Sequence, residues 1–407
     1  MNATILTIGD ELLIGQTIDT NSAYIGRELN KIGIRIYQRI AVGDVAKHIT
    51  EGLKRASAQS EIVIITGGLG PTKDDITKKT IAEYFGVGFT FYEELWEKMK
   101  AIFEKRGAAV LEMNRGQALL PSNAVMLPNA RGTAQGMWFD EQGVVYVSMP
   151  GVPHEMKFLL DTQVIPKLKT RFELPKILHR TLMTAGAGES SIAAILTDFE
   201  NALPAYMKLA YLPDLGVLKL RLSAYGEATE TEIDTQFELL KKTLGEYVFS
   251  DGEISLQEFI GKELLAKGKT IATAESCTGG YISHLITSVA GSSQWFNGGV
   301  TAYSYEMKMN ILGVKKETLE SYGAVSEQTV REMVSGILKM THADFGIAVS
   351  GIAGPSGGTP EKPVGTVWIA VASHDQIIAR EFHFFPSRME NIKVSANAAL
   401  NLLRKVL

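Results

Sequence analysis

The sequence IVIIT at residues 62–66 constrains the fold more than any other feature of this chain. Its branched apolar side chains leave no polar face for solvent, which is typical of a strand that is covered on both sides. Strand-like segments at 3–8 and 34–40 precede it, and helical segments at 21–30 and 44–57 alternate with them. This alternation predicts an α/β fold in which a parallel sheet has helices on both faces.

The overall composition is that of a globular protein with more than one domain. The chain has 407 residues, which suggests two or three domains, and 45% of them are hydrophobic and 21% charged. A net charge of −4 gives no reason to expect nucleic acid or an anionic membrane as a partner. The single cysteine excludes an intrachain disulfide. With no signal-peptide pattern and no apolar run approaching the ~20 residues of a membrane span, a cytoplasmic location is expected.

A polar turn that contains two possible nucleophiles follows a strand-like segment in the C-terminal half. Residues 270–274 are largely apolar, and the sequence ESCTGG at 275–280 then breaks the strand before a helical pattern begins. A turn of this kind places a hydroxyl or a thiol beside free N–H groups, which favour an oxyanion or a phosphate. Serine and threonine are also ordinary helix caps, so the turn alone leaves a structural role equally open.

Two further polar segments strengthen the catalytic interpretation of this turn. Tyr303 and Lys308 lie five residues apart after the apolar GGVTA segment. The glycine-rich sequence SGIAGPSGG at 350–358 follows a strand-like segment at 345–349. Segments that leave a strand in polar, glycine-rich sequence form a pocket at the carboxyl edge of an α/β sheet. The sequence therefore predicts a catalytic pocket in this region.

Amide hydrolysis is a reaction that these residue types support. It requires a nucleophile, a base and donors for the developing oxyanion. Lys308 suits the role of base if burial lowers its pKa, because only the neutral amine accepts a proton. Residue type alone nominates Ser276 and Cys277 equally, although a lone cysteine is more often an inert core residue. His284 lies about 10.5 Å from Cys277 along a regular helix, too far for a direct hydrogen bond.

The N-terminal half contains its own candidate site, the glycine-rich loop GGLGPTKDD at 67–75. Glycines at a strand end let the backbone approach a phosphate, and the paired Asp74 and Asp75 suit a divalent cation that bridges ligand oxygens. Asp10 and Asn21 supply further oxygen ligands near the end of the first strand. The loop is not a P-loop, and acidic residues at a helix start also suit the helix dipole, so an ordinary turn remains open.

The segment between the two halves, residues 171–250, is predicted to contain a strand, a helix, a second strand and a second helix. A glycine turn, GAGES at 186–190, leads into the first helix, and the arrangement resembles a small KH-like α+β module. KH modules clamp nucleic-acid backbones, which requires a positive surface. This segment has 8 Lys or Arg against 11 Asp or Glu, a charge of −3. We therefore expect a spacer that sets domain geometry or aids dimerisation.

The C-terminal motifs AESCTGG, YSYEMK, SGIAGPSGG and PVGTVW resemble those of the CinA carboxy-terminal domain over residues 253–407. The resemblance implies hydrolysis of the carboxamide of nicotinamide mononucleotide (NMN) without a cofactor. It implies that Ser276 is the nucleophile and Lys308 its base, with Tyr303 assisting. It also implies a ligand lining formed by Thr278, Gly279, Gly351, Ile352, Thr366 and Arg388.

The N-terminal motifs TIGDELLIGQTIDTNS, TGGLGPTKDD, NRGQALLP and MPGVPHEM resemble those of the CinA amino-terminal domain. The resemblance implies the fold of molybdopterin-binding proteins and metal-dependent cleavage of ADP-ribose to AMP and ribose 5-phosphate. Substrate contacts are expected at Asn21 and Gly68, and a divalent cation of unspecified identity at Asp10, Asp74, Asp75 and Glu155.

Together, the two resemblances imply a bifunctional pyridine-nucleotide hydrolase, with three domains expected at 1–170, 171–251 and 252–407. The expected folds are a molybdopterin-binding-like parallel-sheet domain, a KH-like α+β module and an α/β amidohydrolase domain, in a homodimer. The alternatives are a molybdopterin-type ligand-binding protein and a competence- or repair-associated protein without N-terminal catalysis. Without a basic stripe, direct contact with DNA is not expected.

Overall fold

The structure is a computed structural model, and it describes residues 1–72, 75–105, 112–226 and 228–407. The chain divides into two compact units. The first comprises Met1–Leu178 with Tyr225–Ala228, and the second comprises His179–Ala224 with Thr229–Leu407. Among the helices in the described ranges, none combines the length and apolar character that crossing a bilayer requires.

The first unit is a mixed sheet between helices. Its elements in chain order are β1 (Asn2–Ile8), α1 (Asp10–Leu13), α2 (Thr20–Lys31), β2 (Arg35–Val42), α3 (Ala46–Ser57), β3 (Ile62–Thr66), α4 (Thr77–Phe85), β4 (Phe89–Phe91), α5 (Glu93–Lys105), α6 (Glu112–Arg115), β5 (Leu119–Pro121), β6 (Val125–Leu127), β7 (Gly136–Glu141), β8 (Val144–Met149), α7 (Pro153–Leu159) and α8 (Ile165–Arg171). The main sheet has the order β2-β1-β3-β8-β7-β6, and β4 pairs with β5 in a separate ribbon.

The central strand β3 is covered on both faces, as its sequence predicts. Ile62 and Ile64 pack in one apolar cluster with residues of α2 and α7. Val63 and Ile65 pack in a second cluster with residues of α3 and α4. The strands β2, β1, β3 and β8 are parallel, so their carboxyl ends meet at one edge.

The sheet continues beyond its parallel part, because β7 pairs antiparallel with β8 and β6 pairs antiparallel with β7. The turn between β7 and β8 is formed by Gln142 and Gly143, with φ angles of 54° and 82°. Two consecutive positive φ angles are typical of the tight turn that matches the twist of a hairpin. The predicted parallel sheet is thus the core of a larger mixed one.

The middle module contains the four elements predicted for it and two more strands. Its elements are β9 (Ile177–Ala185), α9 (Glu189–Asn201), β10 (Met207–Asp214), β11 (Val217–Tyr225), α10 (Glu230–Leu244) and β12 (Val248–Asp251). The strand order is β10-β11-β9-β12, and the β10–β11 and β9–β12 pairs are antiparallel. The start of α10 is fixed by a capping box in which Thr229 and Glu232 exchange hydrogen bonds.

The C-terminal domain is a five-stranded sheet with helices on both faces. Its elements are α11 (Leu256–Lys267), β13 (Ile271–Glu275), α12 (Tyr281–Thr287), β14 (Phe296–Thr301), α13 (Tyr305–Leu312), α14 (Lys316–Tyr322), α15 (Glu327–Thr341), β15 (Phe345–Gly351), β16 (Thr366–Ala372), β17 (Ile377–His383) and α16 (Arg388–Arg404). The strand order is β14-β13-β15-β16-β17.

The topology of this sheet brings its polar segments to one edge. Strands β14, β13 and β15 are parallel, so the segments that follow them leave from the same side. Strand β16 is antiparallel to β15 and therefore begins at that edge, and β17 returns to it before α16. This strand order therefore brings the segments that were predicted to form a pocket to one edge of the sheet.

Candidate active site

The turn between β13 and α12 presents Ser276 at the edge of the sheet. The backbone N–H of Ser276 donates to the carbonyl of Val349 at 2.9 Å, which ties the turn to the neighbouring strand β15. Gly279 and Gly280 then take left-handed conformations with φ angles of 60° and 96°. Side chains with a Cβ rarely adopt these angles, so the two glycines permit the sharp reversal into α12.

Lys308 lies directly against the Ser276 hydroxyl. The distance between Lys308 Nζ and Ser276 Oγ is 3.0 Å, and Lys308 is 1% exposed. Nζ also donates to the carbonyls of Ala302 at 2.7 Å and Tyr303 at 3.3 Å. Two of the three positions on the amine are therefore used by carbonyl acceptors. The third faces the serine, where a neutral amine presents its lone pair.

Burial makes Lys308 a better base and Cys277 a poorer nucleophile. Burial lowers the pKa of Lys308 to about 8, because the charged ammonium loses its hydration. The same effect raises the pKa of the Cys277 thiol to about 12, since it disfavours the thiolate. Cys277 packs in the apolar cluster of the domain. The geometry favours Ser276 over Cys277, which residue type alone left undecided.

Tyr303 and Arg388 form a pair beside the Ser–Lys contact. Arg388 donates from Nη2 to the Tyr303 hydroxyl at 3.1 Å and from Nη1 to the carbonyl of Gly354 at 3.0 Å. The Tyr303 side chain is 60% exposed. Its phenol bonds to Arg388, whereas its backbone carbonyl contacts Lys308. The structure therefore gives Tyr303 two contacts in this site, one through each part of the residue.

The remaining residues implied by the resemblance lie at the same sheet edge in different environments. Gly351 ends β15, and a Cβ placed there would lie 2.8 Å from the carbonyl of Thr366, so only glycine fits this close approach. Ile352 exchanges backbone hydrogen bonds with Thr366 and Gly365 at 2.9 and 2.8 Å. The Thr366 side chain is fully buried, and its hydroxyl lies 3.4 Å from Nδ1 of His383.

Thr278 is the residue of the turn with an unused polar atom. It is 3% exposed, and among the described residues its Oγ1 has no hydrogen-bond partner. A buried hydroxyl without a partner is costly, so the group is suited to receive a ligand atom. Its position two residues after Ser276 places that ligand beside the nucleophile.

Sequence reasoning did not identify Glu275 as part of this site. Its side chain is completely buried and accepts hydrogen bonds from the start of α12. The only sequence signal is a single acidic residue at the end of a strand whose other members are apolar or threonine. A carboxylate at such a position needs several donors to offset the loss of water.

The first unit has a separate cavity of about 450 Å³ at the carboxyl edge of its parallel strands. The predicted residues Asn21, Gly68, Asp75 and Glu155 all line it. The Asn21 amide nitrogen donates to the carbonyl of Gly151 at 2.7 Å, and its Oδ1 is buried without a partner among the described residues. An unused amide oxygen in a polar cavity is available to a ligand.

The acidic residues predicted for this cavity accept hydrogen bonds from different neighbours. An oxygen of Asp75 accepts from the N–H of Thr72 at 3.0 Å, and one of Glu155 accepts from the Asn129 amide at 2.6 Å. Asp10 is not part of the lining, and its Oδ1 accepts from the N–H of Asp44 at 3.4 Å. Asp74 lies outside the described residues. Within the described ranges, no three His, Cys, Asp or Glu side chains are grouped so that they alone hold a metal ion.

Gln117 is a further candidate ligand residue of this cavity that was not among the predicted site residues. It lines the cavity and is 4% exposed, and its Oε1 has no partner within the described part of the chain. The sequence NRGQ gives a polar loop but no indication that one amide oxygen remains unused. That property depends on the three-dimensional packing.

Family models match three successive parts of the chain. A model described as "CinA C-terminal domain" matches residues 253–407, and "Damage-inducible protein CinA KH domain" matches 179–250. A model described as "Probable molybdopterin binding domain" matches 4–170. A "CinA-like protein" of Cytophaga hutchinsonii is 47% identical over 408 residues, which cover 100% of this chain and 98% of that protein. The chain belongs to the CinA family.

Two further comparisons concern other CinA proteins. A "CinA-like protein" of Flavobacterium psychrophilum is 42% identical over 413 residues, covering 100% of this chain and 98% of that protein. The crystal structure of competence/damage inducible protein CihA from Agrobacterium tumefaciens is 38% identical and covers 37% of this chain and 93% of that one, with a TM-score of 0.37. The two CinA-like relatives thus align with this chain over its whole length.

Proposed function

We propose that the C-terminal site hydrolyses the carboxamide of NMN to nicotinic acid mononucleotide and ammonia. The observation that carries this proposal is the 3.0 Å contact between the buried Lys308 amine and the Ser276 hydroxyl. A serine beside a lysine of lowered pKa is a nucleophile with its base, a pair suited to acyl transfer. The substrate itself is proposed from the resemblance to the CinA carboxy-terminal domain.

The first half of the proposed reaction forms an ester on Ser276. Neutral Lys308 takes the hydroxyl proton as Oγ attacks the carboxamide carbon. The resulting ammonium keeps its hydrogen bonds to the carbonyls of Ala302 and Tyr303, so the charge does not arise without partners. Lys308 then returns the proton to the leaving nitrogen, and the C–N bond breaks to release ammonia.

Backbone N–H groups in the nucleophilic turn are suited to stabilise the oxyanion. Neither the N–H of Cys277 nor that of Thr278 has a backbone acceptor in the described part of the chain. Donors of this kind, fixed before the reaction, contribute about 10²–10³-fold each to turnover. In the second half of the reaction, Lys308 removes a proton from water as the water attacks the ester. Lys308 then returns that proton to Ser276 Oγ as the ester C–O bond breaks, which releases the acid and restores Ser276.

The direct test is to incubate the protein with NMN in the presence of a metal chelator and to measure ammonia. The expected result is that ammonia and nicotinic acid mononucleotide form in equal amounts. A protein that binds NMN but releases neither product would instead be a binding protein with an inactive amidase fold. That outcome would overturn this proposal.

The pH dependence should report the titration of Lys308. We expect kcat/KM for NMN to rise with pH and to level off above about pH 8, because the lowered pKa of Lys308 is about 8 and only the neutral amine is a base. Below that pH, the rate should fall about tenfold per pH unit. Cys277→Ala should give the same profile. A profile that is flat between about pH 6 and 9 would contradict a lysine base with this pKa.

For the N-terminal cavity we propose the metal-dependent hydrolysis of the diphosphate of ADP-ribose, which yields AMP and ribose 5-phosphate. The specific observation is the charge of the lining, which includes Asp44, Asp75 and Glu155 but no Lys or Arg among its described members. A diphosphate is itself anionic. An acidic cavity would therefore bind it through a divalent cation, which accepts oxygens from both.

The donor set of this cavity fits a hard cation such as Mg²⁺. Carboxylates of Asp75 and Glu155 and the unused amide oxygen of Asn21 are all oxygen ligands. Mg²⁺ binds through one or two carboxylates together with waters and phosphate oxygens, so it does not need three protein carboxylates in one place. When bound, such an ion neutralises charge on the phosphates and lowers the pKa of water.

Asp75→Asn tests the N-terminal proposal with little change of shape. The amide oxygen can still accept from the N–H of Thr72, whereas the charge that attracts the cation is lost. We expect ADP-ribose cleavage at a fixed Mg²⁺ concentration to fall by about 10–100-fold, with NMN hydrolysis unchanged. Asp161→Asn is the matched control, since Asp161 bonds to Tyr24 and does not line the cavity. Equal loss of both activities in Asp75→Asn would contradict two independent sites.

A further inference from the structure

We infer that Glu275 is a positioning residue of the Ser–Lys site, which holds the nucleophilic turn and, through Ala302, the base. This inference rests on the proposed amidase function, because its main test measures the hydrolysis of NMN. Glu275 does not touch Ser276 Oγ or Lys308 Nζ in the structure. It acts through the backbone on either side of them.

The carboxylate of Glu275 gathers four donors from the start of α12. One oxygen accepts from the N–H groups of Gly280 at 3.1 Å and Ile282 at 3.0 Å. The other accepts from the N–H and the hydroxyl of Ser283, both at 2.8 Å. Glu275 is 0% exposed, so these bonds replace its hydration completely. All four donors are neutral, and their positions are fixed by the helix.

This arrangement differs from an ordinary helix cap. The residue at the N-cap position of α12 is Gly280, which has no side chain to accept a hydrogen bond. Glu275 stands five residues earlier, at the end of β13, and spans the whole turn that contains Ser276. The carboxylate therefore fixes the distance between the strand and the helix. The nucleophile lies within the segment whose two ends are held.

The backbone of Glu275 extends the same control to the base. The carbonyl of Glu275 accepts from the N–H of Ala302 at 2.8 Å. The carbonyl of Ala302 in turn accepts from Lys308 Nζ at 2.7 Å. One residue thus connects the turn that holds the nucleophile with the strand end that orients the amine. A displacement of about 1 Å between reacting groups costs about 10²-fold in rate.

The carboxylate also determines which N–H groups remain for the substrate. It uses the N–H groups of Gly280, Ile282 and Ser283, which are those that a helix start otherwise offers to an anion. The N–H of Thr278, which precedes them, keeps no acceptor among the described residues. The turn beside Ser276 therefore keeps an N–H group for a negative oxygen of the substrate, whereas the N–H groups at the helix start are already used by Glu275.

Glu275→Gln tests this inference, because the carboxamide has the same shape but only one oxygen that accepts. In either orientation, its NH₂ group would face at least one backbone N–H donor. We expect kcat for NMN to fall about 10²-fold with KM within about threefold of the wild-type value. Glu275→Asp keeps the charge but lacks one methylene, so it should also lose turnover. A role that depends on charge alone would leave Glu275→Asp active.

Glu258→Gln is the matched control. Glu258 also caps a helix, since it accepts from the N–H and hydroxyl of Ser255 at the start of α11, both at 2.7 Å. Because Glu258 is exposed, Glu258→Gln should lose less melting temperature than Glu275→Gln and should keep the wild-type kcat. Wild-type kcat in a folded Glu275→Gln, or an equal loss of kcat in Glu258→Gln, would overturn the inference.

A second readout separates this inference from the proposed substrate. Phenylmethanesulfonyl fluoride reacts with an activated serine: Oγ bonds to sulfur, fluoride leaves, and the base takes the hydroxyl proton. We expect labelling of Ser276, followed by mass spectrometry, to be about 10²-fold slower in Glu275→Gln and unchanged in Glu258→Gln. If the wild type is labelled but releases no ammonia from NMN, the proposed substrate is wrong. The labelling rates then still test whether Glu275 positions Ser276. Equal labelling rates in wild type and Glu275→Gln would overturn the positioning role.

Discussion

Ser276→Ala should abolish ammonia release from NMN, whereas Cys277→Ala should retain most of it. The Ser276 hydroxyl lies 3.0 Å from the amine of Lys308. The Cys277 thiol is packed in the apolar core, and burial raises its pKa to about 12, which leaves almost no thiolate at neutral pH. Loss of the nucleophile should lower kcat by about 10⁴-fold or more.

The measurement is a continuous ammonia assay at saturating NMN, with the melting temperature of each variant recorded beside it. Ser276→Ala changes one buried oxygen and should remain folded. Cys277→Ala removes a buried sulfur and is expected to lose some stability. An active Ser276→Ala together with an inactive, folded Cys277→Ala would make the site a cysteine amidase.

The strand pattern predicted that the segments containing Ser276 and Lys308 share one sheet edge, whereas their pairing as nucleophile and base was implied by the resemblance to the CinA carboxy-terminal domain. The apolar periodicity of β13, β14 and β15 identifies the strands, and polar segments after parallel strands share one edge. The separation of 3.0 Å was not predictable. It depends on the turn after β13 and on the two carbonyls that orient the amine, and local sequence patterns do not encode either.

Residue types also could not indicate which way each polar side chain turns. Asp10 and Asp75 both follow strands of the first sheet, yet Asp75 lines the cavity and Asp10 does not. Thr366 lies at the correct edge but is completely buried. Long-range hydrogen bonds contribute to these orientations, as with Asp10, whose carboxylate accepts from the backbone N–H of Asp44 at 3.4 Å. Similarly, the antiparallel strands β16 and β17 have no crossover helix to mark them in the sequence.

Lys308→Arg should bind NMN almost normally and turn it over about 10²–10⁴-fold more slowly than the wild type. Arginine keeps a positive charge that can attract the phosphate of NMN, but it does not lose its proton at accessible pH. Lys308, in contrast, has its pKa lowered to about 8 by burial, so part of the wild-type protein carries the neutral amine at pH 7.5 to 8. A base and a phosphate clamp thus predict opposite kinetics for this one substitution.

The measurements are kcat at saturating NMN and the dissociation constant of NMN from calorimetry in the Ser276→Ala background, where no turnover disturbs binding. Lys316→Arg is the control, since Lys316 lies exposed in α14 and pairs with Glu320 across one helical turn. Because arginine is larger than the buried lysine, Lys308→Met provides a second variant with a similar stem and no basic group. Both Lys308 variants should lose kcat alike if the amine is the base. A wild-type kcat in Lys308→Arg, with the loss confined to Lys308→Met, would show that positive charge alone is needed and that the Ser–Lys mechanism is wrong.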